Sequence, residues 1–172
     1  MAASNITREQ IEVYRFSVAA AIGVPLAALL LQQYLPLKLP FFSIFDLPLL
    51  VTIYFAVARR SPITGLLTGG VIGLVQDSLT HQPIGLYGMA KTVIGYAASS
   101  LGVKVDVDNP GSRILMTFGF YLAHQLIYLI VARGLAQQAL TWRWGHMLVV
   151  GLANALLALV LFMALDHLRQ RT

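Results

Sequence analysis

The chain has 172 residues and no cysteine, carries a formal charge of +5, and is 58% hydrophobic with only 11% charged residues. Soluble domains hold about 25% charged residues, so this composition excludes an ordinary water-facing surface, and the missing thiols exclude disulfides and thiolate metal centres. The charges gather at segment ends and leave long apolar stretches between them, which is the pattern of an all-α polytopic membrane protein.

Residues 1–15 are polar and include Arg8, Glu9, Glu12 and Arg15, while the small run Ala19, Ala20, Ala21 sits at the start of the first apolar stretch. A signal-peptidase site would follow that stretch, so the first span is expected to be a retained anchor. Ile6, Ile11, Val13 and Tyr14 suit either a short interfacial helix or a solvated tail. The first span is expected over 16–35, with Pro25 as a kink point and Ala19, Gly23 and Ala27 as a small-residue face. An external segment, 36–45, brings Phe41, Phe42 and Phe45 to the interface.

The second span, 46–58, opens on Asp46 and Pro48, an acid near the cap and a proline in the first turn. It is short for a full crossing. The third, 62–79, carries Gly65, Gly69 and Gly73 at four-residue spacing, with Asp77 near its outer end. Such glycines cost about 1 kcal/mol each against Ala in a soluble helix, but in a membrane they let two backbones approach closely. A turn through His81, Gln82 and Pro83 leads to Gly85 and Gly88 and to the fourth span, 86–103, which holds Lys91. After a polar loop over 104–113, the fifth span, 114–132, holds His124 and Gln125. Trp142 and Trp144 suit a membrane boundary, and the sixth span, 146–165, holds Asn154.

With the N-terminus inside, eight basic residues (Arg8, Arg15, Arg59, Arg60, Lys104, Arg113, Arg169, Arg171) face the cytoplasm and three (Lys38, Arg133, Arg143) face outward. The positive-inside rule then gives about six crossings with both termini cytoplasmic. It also accounts for the basic charge without a nucleic-acid partner.

Asp77 and Lys91 fall near the outer ends of adjacent spans. A carboxylate and an ammonium in poorly solvated surroundings are most stable when satisfied. Asp77 is therefore expected either to pair with Lys91 or to cap backbone amides of the Gly85–Gly88 turn, serving as a local staple or as a polar patch that a partner or solute reads. His124, Gln125 and Asn154 are expected to hydrogen-bond between helices. The four histidines lack the i, i+4 spacing of a zinc pair. The spans offer no second carboxylate for acid–base work, no nucleophile elbow and no phosphate loop, so neither an enzyme nor a cofactor or metal is expected.

The run from Asp46 to Ala56, then Pro62-x-x-Gly65, then Gly73-Leu-Val-Gln-Asp77-Ser, then Gly85-Leu-Tyr-Gly88, resembles the MreD family of bacterial rod-shape proteins. These motifs lie between Asp46 and Gly88, and the second half is similar in hydrophobic pattern alone. The resemblance implies a non-enzymatic subunit of the inner membrane and of the cell-elongation machinery. Its partner would be MreC and, through MreC, the MreB filament, the synthase RodA and the class B penicillin-binding protein. The family is similar in fold to the six-helix substrate-binding subunits of energy-coupling-factor vitamin transporters. That likeness supplies a second expectation, a small-molecule uptake subunit with Lys91, His124, Gln125 and Asn154 converging on a hollow of roughly 300 Å³ or more.

Overall fold

The computed structural model describes residues 16–103, 109–138 and 143–168, and every regular element among them is helical. The helices are α1 (Val18–Lys38), α2 (Leu47–Arg59), α3 (Pro62–Leu79), α4 (Leu86–Gly102), α5 (Pro110–Gly134) and α6 (Trp144–Asp166), with one 3-10 turn at Pro40–Ile44. Three of them, α1, α5 and α6, are long and apolar enough to cross a membrane, which is the make-up of a membrane protein. The remaining three are shorter or carry polar groups in their spans; of these α2 is interior, while α3 and α4 each keep one face exposed. The interfacial reading of residues 1–15 and the placement of Trp142 lie outside the described residues.

Local chemistry sets each boundary. Ser17 Oγ accepts the Ala20 N–H and starts α1. Asp46 Oδ1 accepts the Leu49 N–H and starts α2 ahead of Pro48, and Arg60, at φ 51°, ends it in the left-handed region. Pro62 opens α3. Two expected boundaries shift. Helix α1 runs through Pro36 to Lys38, because a proline forfeits one hydrogen bond without ending a helix whose next donor, Leu39 N–H, still reaches Leu35 O. Residues Pro110 to Arg113, expected in a loop, are the first turn of α5, since Asn109 caps the Gly111 N–H and Pro110 occupies the first helical position.

Helix α2 is the central post. Every residue from Pro48 to Ala58 is buried, and the helix touches each of the other five. A helix apolar all round belongs in an interior, and the neighbours that surround α2 shield its 13 residues, about 20 Å at 1.5 Å each, along their whole length.

The broadest interhelix contact joins α3 to α4, and the glycine face builds it. A β-carbon on Gly65, Gly69 or Gly73 would overlap the carbonyl oxygen of Gly95, Lys91 or Tyr87 respectively, and one on Gly95 would overlap that of Gly65. The rungs step by four on both helices, so the pair is antiparallel and backbone rests on backbone. The expected close contact is therefore made within this chain. The small face of α1 behaves differently: Ala19, Gly23 and Ala27 are exposed, and nothing lies within 4 Å of a β-carbon built on Gly23.

Candidate functional site

Lys91 is fully buried, and its Nζ donates to both oxygens of Asp46, at 2.8 and 3.0 Å. Asp46 was singled out in the sequence only as a helix-start signal; its carboxylate is the second acid that the spans were expected to lack. The expected pair of Asp77 with Lys91 gives way to this one, because Lys91, one turn into α4, faces α2 rather than the end of α3. His124 Nε2 stands 3.4 Å from Lys91 Nζ. With the ammonium donating, that nitrogen accepts and the ring proton rests on Nδ1, which has no hydrogen-bond partner among the described residues. The Tyr87 ring lies parallel to His124 at 6.1 Å, stacks on Tyr128 at 4.8 Å, and offers its face to the Lys91 ammonium at 5.1 Å.

Asn154, also fully buried, holds the backbone beside this cluster. Its Oδ1 accepts the Asp46 N–H at 2.9 Å, and its Nδ2 donates to Ile44 O and Val150 O, each at 2.9 Å. Gln32 of α1 grips the same strand of chain: its Nε2 donates to Phe45 O, and its Oε1 accepts the Leu47 N–H, both at 2.9 Å. The two carboxamides fix the residue that carries the acid.

Asp77 takes the second of its two expected roles. Its carboxylate accepts the N–H groups of Gly85 at 2.8 Å, Tyr87 at 2.9 Å and Gly88 at 3.0 Å. The turn needs Gly85, whose φ of 108° disfavours a side chain, and at Gly88 a β-carbon would press on the Leu74 side chain. Asp77 thus neutralises the orphan donors at the start of α4.

Above the cluster lies a polar hollow of about 340 Å³, lined from α1, α3, α4, α5 and α6, from the 3-10 turn and from Asp46, the cap of α2. Gln32, Asp46, Gln76, Tyr87, Tyr121, Gln125 and His146 line it. It lies at the end of the bundle opposite Arg59, Arg60 and the Arg113–Asp166 ion pair. Of the four residues expected to converge on a hollow, only Gln125 does so; Lys91, His124 and Asn154 belong to the packed layer beneath it. Sequence reading passed over Gln32, Gln76 and Asp46. A glutamine inside an apolar run was the available signal for the first two, since such a group needs a partner in hydrocarbon. A second hollow, apolar and of about 360 Å³, runs between α1 and α3 along Ile22, Leu26, Leu67 and Val71.

Comparison with family models, curated proteins and solved structures finds no match. The geometry and the sequence resemblance therefore carry the functional reading. Among the described residues no three His, Asp or Glu side chains gather as metal ligands. The buried acid and ammonium satisfy each other across α2 and α4, an arrangement suited to holding helices in place.

Proposed function

We infer that this protein is a non-enzymatic scaffold of the bacterial inner membrane, of the MreD type, crossing the bilayer six times with both termini in the cytoplasm. It holds the membrane helix and juxtamembrane segment of MreC and so helps to place RodA and the class B penicillin-binding protein during cell elongation. The single observation that supports this most is where the motif residues go. Asp46, Gly65, Gly73, Asp77, Gly85 and Gly88 are all spent on joining α2, α3 and α4, and that unit contributes Asp46, Gln76 and Tyr87 to the wall of a polar hollow. A hydrogen-bonding hollow walled in this way receives a partner's segment where that segment leaves the bilayer. Exposed apolar faces on α1 and α3 leave room for the partner's helix beside it.

The hollow also favours a second reading. Its volume falls within the range of ligand sites, about 300–1,000 Å³, as a transporter's substrate-binding subunit in the energy-coupling-factor fold would need. Affinity purification of the tagged protein from its native membrane in mild detergent, with mass spectrometry, separates the two. Recovery of MreC with the wall synthases supports the scaffold; recovery of ATPase subunits with a coupling protein, and no MreC, supports uptake.

A further inference from the structure

The hollow is more selective than its size suggests. Gln76 is 4% exposed and faces it, yet its Oε1 has no hydrogen-bond partner among the described residues. Leaving such an acceptor unmatched costs about 1–3 kcal/mol, so a group from outside that donates to it gains more than it would on a solvated surface. The other acceptor on the wall is the Asp46 carboxylate, which Lys91 anchors from below. Lys91 itself is fully buried and does not face the hollow. The amides of Gln32 are already committed to the backbone at Phe45 and Leu47. Of the lining groups, Gln76 Oε1 is the buried acceptor left without a partner among the described residues, and no Lys or Arg lines the hollow to draw an anion.

We propose that the hollow is a receptor for a hydrogen-bond donor, a hydroxyl, carboxamide or ammonium carried on the partner's juxtamembrane segment, with Gln76 and Asp46 as the groups that select it. This rests on the scaffold reading and adds the chemistry of the contact. An acidic side chain is disfavoured, because it would approach the Asp46 carboxylate and the Gln76 carbonyl with no Lys or Arg on the wall to offset them.

The test uses the full-length protein and full-length MreC, each purified in mild detergent, and measures their Kd with wild type, Gln76→Met and Gln76→Glu. Methionine keeps the shape and removes the acceptor; glutamate keeps an acceptor and removes the amide donor. The expected result is a loss of about tenfold for Gln76→Met and a change within about twofold for Gln76→Glu. Thermal unfolding of the isolated variants guards against misfolding. Independently of both variants, a photo-crosslinker at His146 in an otherwise wild-type chain is expected to attach to MreC beside a Ser, Thr, Asn, Gln, Lys or Arg. Wild-type binding with no loss in Gln76→Met overturns the inference and leaves the scaffold standing. An equal loss in Gln76→Glu and Gln76→Met, with both folded, overturns it by showing that the guest accepts. No MreC binding to wild type, or a free solute retained in native mass spectrometry in its place, removes the scaffold reading and the inference with it.

Discussion

At the scale of single residues, the buried pair of Asp46 and Lys91 carries the largest stake. A buried pair contributes little against an apolar substitute, but stranding one partner costs about 3–5 kcal/mol. Lys91→Met should therefore lower detergent stability by that order, read as a fall in thermal unfolding temperature. Adding Asp46→Asn, which keeps the cap on Leu49, should restore much of the loss. A double variant no more stable than Lys91→Met would refute the coupling. Asp77→Asn loses charge from three hydrogen bonds and should cost about 1–3 kcal/mol, measured the same way. Half of this chemistry was legible in the sequence. An acid beside a glycine turn must satisfy backbone donors, and Asp77 does. The partner of Lys91 was not legible, because 45 residues separate the two and the Asp-x-Pro pattern has a sufficient local explanation as a cap.

The helices themselves were largely legible: α3 spans 62–79 as the apolar run and its flanking prolines require. The errors fell where a proline was taken as a stop, at Pro36 and at Pro110, although the first turn of a helix tolerates proline and a long apolar helix absorbs one. Spacing marked Gly65, Gly69 and Gly73 as close-contact glycines without saying which helix meets them, and it marked Gly23 in the same way. Two glycine faces looked alike in sequence and differ in space. Gly69→Ala should drive a methyl into the Lys91 carbonyl and cost about 1–3 kcal/mol, whereas Gly23→Ala meets open space and should leave stability of the isolated protein unchanged or raise it by up to about 1 kcal/mol. Unfolding curves of the two side by side decide it; equal effects would mean that α3 and α4 do not rest backbone on backbone.

At the scale of the molecule, the proposed six crossings place the hollow outside and the arginine end inside. The cysteine-free chain makes this easy to check, since any single introduced thiol reports alone. Ser43→Cys and His146→Cys should react with an impermeant maleimide added to intact cells without their outer membrane, and His167→Cys only after the inner membrane is opened. The reverse pattern would invert the orientation. The distance along the chain between Asp46 and Lys91 has its own consequence during synthesis. At about 5–20 residues per second, the acid leaves the ribosome several seconds ahead of the ammonium that neutralises it. The pair can therefore close only once α4 lies beside α2, so the anchor on Asp46 is a product of late assembly and not of local folding.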